Sequence, residues 1–275
     1  MAEQTTYCSL SIDSVQPMLR VLNTMSKGDK NEQLSCEFSN SGLFFTVIDR
    51  SKTLQVNAHF AKEKFLEFIF EGQSDSITVS YMEFIQCLSI YGNEKSANTK
   101  LTLIYSSSEG LVQLKLDESG ITSLCNIKTM MGTNIDIDFP SIFNSTTANN
   151  KCILESSTLD CGVSDIYRIK DGKSIGIQFT ENGLNILSDD SLFAKCTIFF
   201  KSDNSGIISY SSENDHIYRY NREFFLRCMN TLSISLRSYI RINQEGMMCI
   251  QHMIGDDTNN LYTDFFLLPL QDINM

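Results

Sequence analysis

Residues 38–43, Phe38-Ser39-Asn40-Ser41-Gly42-Leu43, recur with changes 141 positions later as Phe179-Thr180-Glu181-Asn182-Gly183-Leu184. A second pair of segments keeps the same shift, because MEFIQCL at 82–88 and REFFLRCM at 222–229 align a Phe and a Cys. Two separate matches at a common shift indicate an internal repeat, the first pattern to look for in a new sequence. The chain is therefore predicted to consist of two similar halves.

The two halves share a predicted order of elements. Stretches that alternate apolar and polar residues predict strands, and apolar residues at helical spacing predict helices. The expected helices lie at 14–26, 81–92, 157–169 and 221–234. Two helices on one face of long antiparallel sheet define an α+β plan, here β-α-β-β-β-α-β-β-β in each half. The predicted domains are 1–127 and 150–275, joined by a linker at 128–149 with an Asn/Ser/Thr-rich end.

Composition is that of a globular protein. Hydrophobic residues make up 42% and charged residues 20%, and no run of apolar residues approaches the ~20 that a membrane helix needs. The first residues lack signal-peptide features, so we expect a soluble, intracellular protein. The nine cysteines are scattered without a C-x-x-C pair and the three histidines lie far apart. This spacing argues against a metal site and favours free thiols in a reducing compartment.

The net charge of −11 and the pI of about 4.7 argue against a protein that grips nucleic acid over most of its surface. They leave room for a local basic stripe. Phosphate loops, nucleophile elbows and the H-E-x-x-H motif are missing from the sequence. The nearest carboxylate pair, Asp136-x-Asp138, lies in the predicted linker and is a pattern that often arises by chance. The sequence therefore predicts a protein that is not an enzyme.

Several predicted helices place cations opposite their apolar stripe. On the first helix, Arg20 and Lys27 share a face with Gln16 and Asn23 because each residue turns by 100°. Arg168 lies opposite the apolar face of the third helix, Arg227 points outward from the fourth, and Arg222 lies on its flank. The alternative is that these are ordinary solvated faces, with Arg168 favouring a helix C-terminus.

Four stretches carry a family resemblance: CSLSIDSV at 8–15, CLSIYG at 87–92, NIDIDF at 134–139 and SYIRINQEGMMCIQHMI at 238–254. Together with the repeated halves, they make the chain resemble the sliding-clamp family, which includes proliferating cell nuclear antigen. Within that family the resemblance is to the Rad-one subunit of the heterotrimeric checkpoint (nine-one-one) clamp.

The resemblance implies a ring whose helices line a central hole and whose sheets form the outer rim. Such a ring holds double-stranded DNA by topology and needs only a weakly cationic lining, which reconciles an acidic chain with DNA as a partner. The lining candidates that it implies are Arg20, Lys27, Arg168, Arg222 and Arg227. The second helix departs from this pattern, because its polar face carries Glu83 and Gln86.

Ring closure in the family pairs edge strands of neighbouring subunits, and the resemblance places such edges at 120–127 and 192–200. The candidate edge residues are Ile121, Leu124, Ile127, Leu192, Phe193 and Ile198. Both segments are apolar and short of charge, as a pairing edge requires, although an ordinary buried strand would look alike. Partner peptides in the family dock beneath the linker, so 128–149 is expected to be a second interaction region.

The leading hypothesis is a subunit of a heterotrimeric DNA-damage checkpoint clamp. Its expected partners are two other clamp-like subunits, double-stranded DNA, an ATP-driven clamp loader and checkpoint and repair proteins. A nuclear location is expected, without cofactor, metal or membrane. The alternatives are a replicative clamp that forms a homotrimer, a 3′–5′ DNA exonuclease that uses Asp136 and Asp138, and a β-rich scaffold that never meets DNA.

Overall fold

The computed structural model describes residues 5–130, 137–169, 172–188, 192, 194–255 and 261–271. The chain divides into two compact units, Met1–Ile48 with Asn57–Asp136, and Asp49–Val56 with Ile137–Met275. The described residues form eighteen strands and five α-helices, and the paired strands run antiparallel, so the predicted α+β class is confirmed. The domain bounds 1–127 and 150–275 remain a prediction about which segments fold by themselves.

The first unit begins with one strand and one helix and then alternates short strands with a second helix. Its elements are β1 (Tyr7–Ile12), α1 (Gln16–Met25), β2 (Gln33–Ser39), β3 (Gly42–Ile48), the later part of β4 (Leu54–Ala61), β5 (Glu67–Glu71), β6 (Asp75–Ser80), α2 (Tyr81–Leu88), β7 (Lys100–Ser106), β8 (Leu111–Glu118) and β9 (Ile121–Lys128).

Two groups of strands build the first unit. One sheet has the order β5-β1-β7-β8-β9, and β6, β2, β3 and β4 lie side by side in another. Alternation along β1 buries Cys8 and Leu10, as expected when one face of a strand covers a core. On α1, Met18 and Leu22 are buried on the face that the helical spacing predicts. The N-cap is Val15, which makes no side-chain capping bond, and Ser14 before it accepts a hydrogen bond from the Gln16 amide at 3.3 Å.

The second unit repeats this order. Its elements are the segment 49–56 with the start of β4, α3 (Phe139–Asn144), β10 (Ala148–Glu155), α4 (Ser156–Arg168), β11 (Ser174–Thr180), β12 (Gly183–Ser188), β13 (Cys196–Lys201), β14 (Ile207–Ser211), β15 (Ile217–Asn221), α5 (Arg222–Met229), β16 (Ser235–Asn243), β17 (Met248–Ile254) and β18 (Leu261–Leu267). The sheet orders are β14-β10-β16-β17-β18 and β13-β12-β11-β15.

The predicted repeat is visible in the element bounds. Both β2 and β11, and both α2 and α5, begin 141 residues apart, as 174 minus 33 and 222 minus 81 show. The predicted strand order was wrong in one respect, since five strands rather than three separate the two helices of each half. One strand missed in the first half is β5, EFIFE, whose outward positions are all exposed and whose acidic ends gave little strand signal.

The predicted linker contains a short helix, α3, that the sequence analysis did not anticipate. Phe139 and Phe143 are buried in a cluster with Met247, Cys249 and Phe266. Asp138 caps the helix, because its Oδ1 accepts a hydrogen bond from the Ser141 amide at 3.3 Å. The second half of the linker is therefore anchored in the core of the second unit.

Candidate functional site

The cations predicted on α1 are exposed. Arg20 lies in the helix and Lys27 follows it, both outside the buried stripe. Beyond the helix end, the Glu32 carboxylate accepts hydrogen bonds from the Ser26 hydroxyl at 2.5 Å and the Lys27 amide at 3.1 Å. An open groove of ≈ 470 Å³, lined in part by Lys27, runs between α1 and α2. The exposure agrees with a DNA-facing role, and that role stays a prediction.

Arg168 ends α4 and is also exposed, but its charge is paired. The Arg168 guanidinium lies 3.3 Å from Asp165 Oδ1, one turn earlier on the same helix. Asp160 is exposed on this helix as well. The outer surface of α4 is therefore less positive than the prediction implied, because these two acids accompany Arg168.

Arg222 makes hydrogen bonds within the fold that the sequence did not predict. It is the first residue of α5 and is half-buried. Its Nη2 donates to the Ile166 carbonyl at 2.9 Å and to the Ile169 carbonyl. These are carbonyls at the end of α4, which a cation satisfies both as a donor and through the helix dipole. Arg222 therefore joins the end of α4 to the start of α5.

The prediction that Arg227 points outward was wrong, since this side chain is only 6% exposed. A helical wheel assumes one covered face, but α5 packs against β11, β15, β18 and the turn at Asn230–Ile234. Little of so short a helix is left to face solvent. The equivalent residue of the repeat, Gln86 on α2, is exposed together with Glu83. The polar face of α2 therefore carries these two residues, as the sequence predicted.

The predicted edge at 120–127 corresponds to β9, which ends its sheet. Ile121 and Leu124 are 59% and 62% exposed, and Ile127 is buried. On the covered face, Tyr91 Oη lies 2.8 Å from Ser123 Oγ and 3.0 Å from the Ile121 carbonyl oxygen. Tyr91 thus holds the strand from the side of α2. The sequence gave no signal for this contact, because it joins residues 30 or more positions apart.

The predicted edge at 192–200 corresponds to β13, which also ends its sheet but begins only at Cys196. Leu192 precedes the strand and is 89% exposed. Ile198 lies within the strand and is half-buried, and Phe193 lies outside the described residues. The edge strand is therefore shorter than the predicted segment, and its pairing with another subunit stays a prediction.

Comparison with known proteins matches most of the chain to one family. The family described as "Repair protein Rad1/Rec1/Rad17" matches residues 8–254. The chain belongs to this family. A relative, the cell cycle checkpoint protein RAD1 of Mus musculus, is 23% identical over 276 residues, covering 98% of this chain and 95% of the relative. The DNA damage checkpoint control protein rad1 of Schizosaccharomyces pombe is also 23% identical, covering 91% and 84%.

Solved structures agree on the fold. A chain from the PCNA2-PCNA3 complex of Sulfolobus tokodaii superposes with a TM-score of 0.74 at 15% identity, over 95% of this chain and 98% of that one. PCNA from Thermococcus kodakaraensis gives a TM-score of 0.75 at 15% identity, over 96% and 100%. The predicted resemblance to the sliding-clamp family and to its Rad-one branch is thereby confirmed.

Proposed function

We propose that this Rad1-family chain is one subunit of a ring-shaped DNA-damage checkpoint clamp, and that two different clamp-like subunits complete the ring. The ring encircles double-stranded DNA, is opened by an ATP-driven loader, and presents its outer surface to checkpoint and repair proteins. Its place of action is the nucleus. Support comes from the named relatives, which are checkpoint proteins, and from the clamp fold.

The observation that carries the proposal is a match between the internal repeat and the strand edges. When β9 at 121–128 is shifted by 141 residues, it falls on 262–269, which overlaps β18. When β13 at 196–201 is shifted back by 141 residues, it falls on 55–60, within β4. Within the second unit, the Leu268 amide just after β18 donates to the Thr53 carbonyl just before β4 at 2.9 Å. Their equivalents in the repeat, β9 and β13, each lie at one end of a sheet.

The free ends suit pairing with a neighbour. Between Ile121 and Ile127 the sequence ITSLCNI carries no charge, and only Lys201 charges β13. Natural edge strands that remain solvent-exposed are usually protected by charge, because an uncharged edge invites another strand. We infer that β9 of this chain pairs with the β13-equivalent edge of one neighbour, and β13 with the β9-equivalent edge of the other.

The DNA-facing role rests on fewer residues than the sequence implied. Arg20 and Lys27 are exposed cations. Arg168 forms an ion pair with Asp165, and Arg222 donates hydrogen bonds to backbone carbonyls. A weak lining of this kind suits a topologically held ring, whereas tight binding would require many neutralised phosphates.

For the exonuclease alternative, the structure describes one member of the carboxylate pair. Asp138 is engaged as the cap of α3, and Asp136 lies outside the described residues. Among the residues that the structure describes, no three His, Cys, Asp or Glu side chains are grouped to hold a metal ion.

No helix in the described part of the chain is long and apolar enough to cross a membrane.

The test compares assembly of the complex with and without a charged residue on the edge strand β9. The chain, co-expressed with two candidate clamp-like partners, should elute as one complex, and Leu124→Glu should weaken assembly at least tenfold. Leu66→Glu is the matched control, because Leu66 is 63% and Leu124 62% exposed, yet Leu66 lies outside both proposed pairing edges. Equal effects of the two variants would contradict the proposed edge.

The mass of the chain alone separates the two clamp hypotheses. A particle near 31.1 kDa by light scattering supports a subunit that needs other chains. A stable trimer of the chain alone would replace the proposal with a self-assembling replicative clamp. Asp136→Ala and Asp138→Ala should leave any background nuclease activity of the preparation unchanged.

A further inference from the structure

Two of the nine cysteines form a contact that the sequence does not suggest. Cys87 lies on α2 and Cys125 on β9, and the two side chains interact. Both are partly exposed, whereas Cys8, Cys36, Cys152, Cys228 and Cys249 are buried. The two thiols are therefore neighbours in space at a place that solvent can reach.

The packing around the pair fixes their approach. Cys125 and Ser123 share the face of β9 that is turned toward α2, since side chains alternate along a strand. Tyr91 follows Cys87 by four residues and binds Ser123 Oγ at 2.8 Å. The pair Cys87–Cys125 and the pair Tyr91–Ser123 therefore lie side by side along the same helix-to-strand contact.

A small oxidant has access to this contact. An open depression of ≈ 440 Å³ lies between the helix and the strand, and its lining includes Cys87, Glu83 and Lys128. Burial, followed by the interaction with Cys125, raises the pKa of the Cys87 thiol to about 12. The thiolate is the reactive form, so reaction at Cys87 should be slow near neutral pH and faster as the pH rises.

We propose that Cys87 and Cys125 are a disulfide-forming pair, oxidised by hydroperoxides, that links α2 to the edge strand β9. In the first step the peroxide oxygen is transferred to one thiol, which gives a sulfenic acid and one water (from hydrogen peroxide). In the second, the other thiol attacks that sulfur, the S–S bond forms, and a second water leaves. Thiols provide the two electrons and the peroxide is the oxidant.

The disulfide would join α2 to β9, a strand at the end of its sheet. It closes a loop of 38 residues, from 87 to 125, and loop closure restricts the unfolded chain. Because Cys125 points toward the helix, the bond would stiffen β9 without adding a group to its outward side, where Leu124 is exposed. The inference does not depend on the proposed function, since it concerns this chain alone.

The experiment uses the purified full-length chain. It is treated with graded hydrogen peroxide, alkylated with N-ethylmaleimide and digested with trypsin without reduction. Cys87 falls in the tryptic peptide 65–95 and Cys125 in 116–128, each with a single cysteine. We expect a linked species of these two peptides, two hydrogens lighter than their sum, whose yield is unchanged on tenfold dilution and rises between pH 7 and 8.

Internal controls make the outcome decisive. Exposed Cys161, in peptide 152–168, reports that peroxide has reacted. Cys125→Ser should abolish the link, whereas Cys196→Ser, at another partly exposed cysteine, should preserve it. Amide hydrogen exchange across 121–128 should slow at least threefold in the oxidised chain. Alkylated Cys87 and Cys125 alongside oxidised Cys161, or links only between chains, would overturn the proposal.

Discussion

Gly162 of α4 lies directly against the ring of Phe200 on β13. A Cβ atom at position 162 would lie 2.2 Å from Phe200 Cζ and 3.3 Å from Ile198 Cγ2. The missing side chain is what lets the helix approach the strand so closely. The edge proposed for pairing is therefore positioned by a glycine inside a helix, where glycine is otherwise unfavourable.

Gly162→Ala should destabilise the protein. Alanine improves helix propensity by about 1 kcal/mol, but the new methyl group must displace the Phe200 ring, and overpacking of this kind costs about 1–3 kcal/mol. We expect a net loss of roughly 1 kcal/mol, measured by urea unfolding.

The matched control is Ser164→Ala on the same helix. Ser164 is half-buried and its hydroxyl bonds to the Cys161 carbonyl at 2.7 Å, so this change should improve propensity without a clash. Phe200→Leu combined with Gly162→Ala should recover part of the loss. A Gly162→Ala variant as stable as Ser164→Ala would contradict the tight contact.

Stability should fall at mildly acidic pH because of His252. This residue is fully buried, its Nε2 donates to the Cys228 carbonyl at 2.9 Å, and its Nδ1 accepts from Ser238 Oγ at 2.9 Å. Burial lowers the pKa of His252 from 6.5 to about 4. Between these values the unfolded state binds more protons, so stability is full above pH 6.5 and is lost as the pH falls toward 4, by about 3 kcal/mol in total.

The measurement is the free energy of unfolding from pH 7 to 5. His252→Gln should flatten this dependence, although it also weakens the protein at pH 7 by disturbing two buried hydrogen bonds. His216→Gln is the control, because His216 is exposed. An unchanged slope in His252→Gln would show that other groups set the acid sensitivity.

Arg222 and Arg168 should respond differently to the same substitution. Arg222→Met keeps the aliphatic stem but removes the donor to Ile166 and Ile169, which should cost about 1–3 kcal/mol. Arg168→Met removes an exposed ion pair with Asp165, which should change stability by less than about 0.5 kcal/mol. Thermal unfolding of both variants provides the comparison, and equal effects would contradict the capping role.

The exposed cations of α1 should affect DNA rather than folding. In the assembled complex, Arg20→Glu with Lys27→Glu should weaken binding to duplex DNA at least fivefold and reduce the slope of log affinity against log salt by about 2. The control with the same charge change is Lys62→Glu with Lys151→Glu, at exposed positions outside α1 and outside both proposed pairing edges. Equal losses in both variants would indicate a non-specific charge effect.

The sequence predicted the features that depend on local pattern. The repeat at 38–43 and 179–184, the buried stripe of α1 and the uncharged edge at β9 all follow from spacing and alternation, which each segment carries within itself. The errors came where several segments meet. Arg227 is buried because α5 is covered from more than one side, and a helical wheel represents only one.

By itself, the sequence predicted an α+β chain of two similar halves, because hydrophobic periodicity and an internal repeat are properties of linear order, and its resemblance to known sequences indicated the clamp family. Only the tertiary structure decided which polar groups are engaged. It joined Arg222 to the end of α4, brought Cys87 against Cys125, and fitted Gly162 to Phe200. These contacts link residues 38 or more positions apart, where packing geometry alone sets the distance.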